Sequence, residues 1–254
     1  DKDHLDIYES EKELVKTYKK FSRLIKNKTV LEDKIPFQGL KYGINSNCDY
    51  NISNIKSSKK GFVFDLKTPT KIYKSIFFNQ IGNHNLSNAL CAITLADQIG
   101  LNMKNILKSL SSFSGVNRRM RIFKFKSKLI IDDYAHHPTE IKFVFETIQS
   151  TYFNKENCVF FQPHLYSRTK FLIEEFAHEL SRFDNIYLLD IYPAREKKIN
   201  GISSKLLLSK INNSSKELIR KNQIKDIIKK SNAKVFALLG AGDIGVEVNK
   251  VLLQ

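Results

Sequence analysis

The chain has 254 residues, 42% of them hydrophobic, and a formal net charge of +16. That is enough length and apolar content for one large or two modest packed domains. No apolar run approaches the ~20 residues of a membrane-spanning helix, and three scattered cysteines (Cys48, Cys91, Cys158) without a CxxC pair argue against a disulfide framework and fit a reducing cytoplasm.

The opening "DKDHLDIY" has neither an initiator Met nor a charged-then-apolar leader, so a fragment of a longer protein is expected. Its acidic–His cluster, with His4, suits a metal or a helix entry. From Glu9 to Lys26, Leu14, Tyr18, Phe21 and Ile25 recur at helical spacing, which predicts an amphipathic helix. From Lys41 to Phe78, short apolar runs broken by Gly, Asn, Ser and Pro predict a small antiparallel sheet. A helix over Asn83–Ile99 follows, with Leu86, Leu90, Ile93 and Leu95 apolar and Gly100 as its stop, then a second helix from Met103 to Leu110.

After "FSGVNRRM" the pattern changes. "KLIID", "NCVFFQ", "NIYLLD" and "AKVFALLG" are fully apolar runs, each followed by a loop and a helical pattern. This predicts an α/β architecture with a doubly wound, mostly parallel sheet covered on both faces. The domain boundary falls near Asn117, dividing the chain into 1–117 and 118–254. Ligands bind at the carboxyl ends of strands in such sheets, and "DDYAHHP", "QPHLYSR" and "DIYPARE" all sit there.

In "DDYAHHPTE", Pro138 and Glu140 suit a helix start. Asp133 can accept from hydroxyls, and His136 and His137 can donate to anions. A metal is the weaker reading, since adjacent histidines rarely face one ion and no HxxxH occurs. In "FFQPHLYSRTK", His164 and Arg168 flank a strand-to-helix turn, and an Arg fork there suits a carboxylate or phosphate. In "GNHNLSNALCAI", Asn83 or Asn85 reads first as a helix cap, while Asn85 and Asn88 share a face and could pair with a purine edge. "GAGDIG" reads as a tight strand-to-helix turn, with no room after it for a completed dinucleotide site. The lysines are spread along the chain, so a basic nucleic-acid-binding module is the alternative from another class, without aromatic-interleaved or zinc-spaced signatures.

Taken in order, "DHLDIY", "GNHNLSNALCAI", "FSGVNRRM", "DDYAHHPTE", "FQPHLYSRT", "DIYPAREK" and "GAGDIG" resemble the ATP-dependent Mur ligases. The resemblance covers nearly the whole chain, weakening between Asn27 and Thr70. It implies the end of a central ATPase domain, with a small sheet and helices, followed by a complete Rossmann-like C-terminal ligase domain. It also implies ATP and Mg²⁺ as cofactors, with His4 on the magnesium, Asn85 and Asn88 on adenine, and Arg119 and Asp133 reaching the nucleotide. Tyr134, His136, His164 and Arg168 resemble groups around the substrates, and His136, His164 and Arg168 are the catalytic candidates. The implied substrates are UDP-N-acetylmuramate and L-alanine, joined through an acyl phosphate in cytoplasmic peptidoglycan precursor synthesis, with no nucleic-acid or membrane partner. The sister ligase that attaches a whole recycled peptide to the same sugar nucleotide is the near alternative. With no phosphate-binding GxGKT/S loop, the chain alone is expected to be inactive. Two departures stand out: Leu165 occupies a position that is basic in many relatives, and the segment 27–43 looks shortened.

Overall fold

The computed structural model describes residues 7–8 and 10–252, so the expectation for His4 lies outside the described residues. The chain divides into two compact units, Ser10–Ser114 and the residues from Gly115 on.

The first unit opens with α1 (Glu11–Ser22), whose N-cap Ser10 accepts from the Glu13 N–H at 3.3 Å. The helix forms as its periodicity predicts, yet none of its residues is buried, and Tyr18 and Phe21 of the apolar stripe are exposed. Then come β1 (Val30–Glu32), β2 (Leu40–Ile44), β3 (Tyr50–Ser58), β4 (Gly61–Lys67), β5 (Ile72–Phe78), α2 (Asn83–Gln98) and α3 (Met103–Ser112). The five strands lie in sequence order in one sheet. The expected antiparallel pattern holds only for β3–β4–β5, because β1, β2 and β3 pair in parallel. For β2 and β3 the loop between them sets the direction. Asn45 is left-handed (φ 51°), Asp49 accepts from the Lys41 N–H, and Asn51 accepts from the Ser46 N–H, so the chain doubles back instead of turning a hairpin. Alternate residues of β4, Phe62, Phe64 and Leu66, face Leu86, Leu90 and Ile93 of α2 in a single core.

The second unit contains β6 (Arg121–Phe125), β7 (Lys128–Asp133), α4 (Pro138–Thr151), β8 (Asn157–Phe161), α5 (Tyr166–Phe171), α6 (Ile173–Leu180), β9 (Asn185–Leu188), α7 (Ser204–Lys210), β10 (Lys216–Leu218), a 3₁₀ turn (Lys221–Gln223), α8 (Ile224–Lys230), β11 (Val235–Leu239) and α9 (Ile244–Leu252). Its sheet runs β10-β9-β8-β11-β7-β6. Every pair is parallel except the β6–β7 hairpin. Strands β8 and β11 are buried along their whole length, as unbroken apolar runs require. The register aligns the strand ends: Leu239 lies opposite both Asp133 and Phe161, and Phe161 opposite Leu188. The loops after β7, β8 and β9 therefore leave the sheet at one level.

Candidate functional site

At the end of β7 the backbone turns out of the sheet and the chain commits its first charges. Asp133 is 3% exposed. Its two oxygens accept from the Met120 N–H (2.7 Å) and the Ala135 N–H (2.8 Å). The carboxylate thus braces the left-handed bend at Arg118 and Met120 against the strand end. Burial pushes its pKa up to about 6, against the pull of those two N–H groups. Asp132, also buried, sits 3.6 Å from Arg118 Nε, and burial raises its pKa too, opposed by that guanidinium.

The helix start behaves as the sequence predicts. Pro138 takes the first turn of α4, and the His137 Nδ1 caps it by accepting from the Thr139 N–H at 3.2 Å. His137 Nδ1 is therefore engaged by the helix as an acceptor. Glu140 reaches back, accepting from the His136 N–H (2.8 Å), the His137 N–H (3.1 Å) and Arg119 Nη1 (3.2 Å). Burial alone would raise the Glu140 carboxyl. The His136 N–H and the His136 and Arg119 charges outweigh it and hold it below the ordinary carboxylate range.

The three loops meet in a row of rings. Tyr134 and His136 lie edge to face at 5.3 Å, His136 and His164 at 6.0 Å, and His164 stacks on Tyr192 at 5.8 Å. Arg118 and Arg119 stand over Tyr134 at 4.9 and 5.7 Å. At the other end Arg168, only 8% exposed, donates from Nη1 to His164 Nδ1 at 3.1 Å. Burial, with the Arg168 charge behind it, lowers the His164 pKa to about 4. A bridge pairs His164 with Tyr192, and Ser167 donates its N–H to Glu196 at 3.0 Å, tying the second loop to the third. Leu165 is 3% exposed with φ 71°, and its side chain belongs to the core.

The structure therefore brings Arg119, Asp133, Tyr134, His136, His164 and Arg168 to one end of one sheet. Asn85 and Asn88 belong to the other unit. The N-cap of α2 is Gly82, without a side-chain cap bond, which corrects the expected cap at Asn83 or Asn85. A tight Gly82 (φ 91°) brings the chain into the helix instead, and the Asn85 amide donates to the Ile81 carbonyl at 2.8 Å. Asn88, one turn on, is exposed. Among the described residues no group of three or more His, Cys, Asp or Glu side chains could hold a metal ion.

Sequence reasoning missed Arg118, Gln162 and Tyr192. Arg118 donates to the Gly240 carbonyl and, at 3.2 Å, to the Gly242 carbonyl. Gln162 donates to Asp243 at 2.8 Å and accepts from the Ile244 N–H at 3.0 Å. A Cβ at Gly240 (φ 147°) would lie 2.7 Å from the Gln162 carbonyl oxygen, and one at Gly245 would lie 2.5 Å from Arg118 Nε. The glycine turn is thus the shared floor of the first two loops. Its shape was legible, but the partners that close on it were not.

Comparison with known proteins adds the following. Residues 118–244 match the model of the Mur ligase, glutamate ligase domain, and residues 1–96 that of the Mur ligase middle domain. The UDP-N-acetylmuramate–L-alanine ligase of Christiangramia forsetii is 46% identical, over 99% of this chain and 56% of that protein. The protein of the same name from Flavobacterium psychrophilum is 44% identical, over 96% of this chain and 55% of its own length. The crystal structure of the Thermotoga maritima UDP-N-acetylmuramate-alanine ligase superposes with a TM-score of 0.77 at 26% identity, over 99% of this chain and 56% of that one. A murein peptide ligase from Psychrobacter arcticus shares the fold, with a TM-score of 0.58 at 18% identity over 84% of this chain and 45% of that one. The chain spans about half the length of the curated relatives it matches.

Proposed function

Because this chain belongs to the Mur ligase family, we propose that the protein it forms part of joins L-alanine to UDP-N-acetylmuramate at the expense of ATP. The observation that carries this reading is 46% identity, along almost the entire chain, to a protein bearing that name. The chemistry is phosphoryl transfer to the muramate carboxylate, then attack of the alanine amine on the acyl phosphate with loss of phosphate. The first step is driven by positioning and charge neutralisation, the second by holding the amine against the acyl carbon.

The residues fit such work. Arg168 and His164 offer donors to an anionic oxygen. Arg119, half-exposed beside Tyr134, offers a cation that can extend toward phosphate. Asp133 serves by holding the Arg118–Met120 bend in place. In the other unit, the exposed amide of Asn88 can pair with both the donor and the acceptor edge of adenine, and Asn85 retains its carbonyl oxygen for the same purpose. Magnesium would neutralise charge on the phosphates; the described residues supply no ligand set for it. The cytoplasm, where ATP and the sugar nucleotide meet, is the proposed location, and no helix among the described residues is long and apolar enough to cross a membrane.

The test is phosphate release by the complete protein with ATP, Mg²⁺, UDP-N-acetylmuramate and L-alanine, each omitted in turn. Release that needs both the sugar nucleotide and free L-alanine is expected. Release driven by a peptide but not by alanine would assign the recycling reaction instead. Silence with every amine would overturn the ligase reading.

A further inference from the structure

The two histidines of the ring row have their protons placed by their partners. An Arg guanidinium has five donors and no acceptor. Arg168 Nη1 lies 3.1 Å from His164 Nδ1, so that nitrogen must present its lone pair, and the single proton of the ring sits on Nε2. His136 is the reverse. Its Nδ1 faces the Tyr134 carbonyl at 2.8 Å and a Glu140 oxygen at 3.2 Å. A carbonyl and a carboxylate only accept, so His136 Nδ1 carries the proton and, in the neutral ring, Nε2 carries the lone pair.

We propose that Arg168 and Glu140 lock His164 and His136 into opposite tautomers, so that His164 acts as a neutral Nε2–H donor to an anionic oxygen of the substrate and not as a base. The ring centroids are 6.0 Å apart, which sets a fixed donor beside a fixed acceptor. His136 is the member of the pair able to take a proton, from an N–H of the incoming amine. Among the described residues, the charged groups facing His164 are Arg168 from α5, His136 from the turn before α4, and Arg195 and Glu196 from the loop after β9. Three of the four are cationic or can become so, and burial acts in the same direction against an imidazolium. The substrate role rests on the ligase reading; the tautomers do not.

Two-bond proton–nitrogen spectra of the chain, labelled with ¹⁵N-histidine, read the tautomers directly and need no activity. At neutral pH His164 should show a proton-free Nδ1 and a protonated Nε2, and His136 the opposite pattern. In Arg168→Met, His164 should lose its fixed tautomer and titrate closer to an ordinary histidine, while Arg168→Lys, which still donates, should preserve it. A protonated Nδ1 on His164 in the unaltered chain, or an unchanged His164 signal in Arg168→Met, would overturn the lock. In the complete protein, His164→Gln keeps an uncharged donor and should retain roughly tenfold more kcat/KM than His164→Ala, with no added acid limb in its pH profile. A Gln variant no better than Ala would overturn the donor role even with the tautomers confirmed. If the complete protein ligates nothing, the spectra still decide the tautomers.

Discussion

Arg168 is a charged side chain in a place where charges are rarely found without partners, and one of its partners is the His164 imidazole. Replacing it removes a cation from the site and frees the ring it holds. Arg168→Ala in the complete enzyme should therefore cut kcat/KM for L-alanine or the sugar nucleotide by roughly a hundredfold. Arg168→Lys should recover part of this, since a single ammonium lacks the two-pronged fork. Steady-state kinetics with each substrate varied would check both, and near-normal values for both substrates in the Ala variant would make Arg168 a structural residue only. Asp133 makes a prediction about stability instead. Asp133→Ala strands two N–H groups, those of Met120 and Ala135, and should cost about 2–4 kcal/mol in urea unfolding. The sign with pH is unusual for a carboxylate. Its folded pKa of about 6 lies above the ordinary 3.8, so the native state takes up the proton first. Its contribution to stability should rise as pH falls from about 6 toward 4, and Asp133→Asn should abolish that dependence.

At the level of elements, α2 separates two kinds of asparagine. Asn88 is an exposed helical side chain, so Asn88→Ala should change the melting temperature little while raising the ATP concentration needed for half-maximal rate in the complete enzyme. A change in stability with no change in ATP dependence would leave Asn88 a helix residue without a nucleotide. The glycine turn before α9 makes the complementary case. Gly245→Ala places a methyl group against the Arg118 guanidinium and should destabilise by about 1–3 kcal/mol through overpacking, seen as a lower melting temperature. What the sequence made legible follows the same lines. Strands β8 and β11, and the end of β7, could be read because burial on both faces demands unbroken apolar runs, and β9 because its apolar run alternates buried with half-buried residues. "RIFKF" and "KEL", at the two sheet edges, keep their charges and gave no such signal. The positions of Tyr134, His136, His164 and Arg168 were legible because each follows a strand at the carboxyl end of the sheet, while the roles given to them rest on the resemblance alone. Arg118 was not, since its partners Gly240 and Gly242 lie more than a hundred residues away and are chosen by packing alone. The parallel pairing of β2 with β3 escaped for a similar reason: Asp49 and Asn51 bind backbone that no local pattern points to.

At the scale of the molecule, each unit owns a core, with Phe64, Leu66, Leu86 and Leu90 in one and Phe160, Phe236, Leu238 and Val248 in the other. A chain starting at Gly115 should therefore fold alone, unfold cooperatively, and reproduce the histidine spectra of the full chain; circular dichroism with the same nitrogen-edited spectra would check it. Within that unit, the strand at the centre is made last. β11 lies between β7 and β8, more than a hundred residues after the first of them. On the ribosome, β6–β7 and β8–β10 thus emerge as two half-sheets, each with an apolar edge still waiting for its neighbour, and such edges recruit strands from other chains. The hazard for the nascent protein peaks just before Val235–Leu239 leaves the exit tunnel. A stop codon placed there, which removes only residues 235–254, should yield an insoluble pellet rather than a smaller folded product.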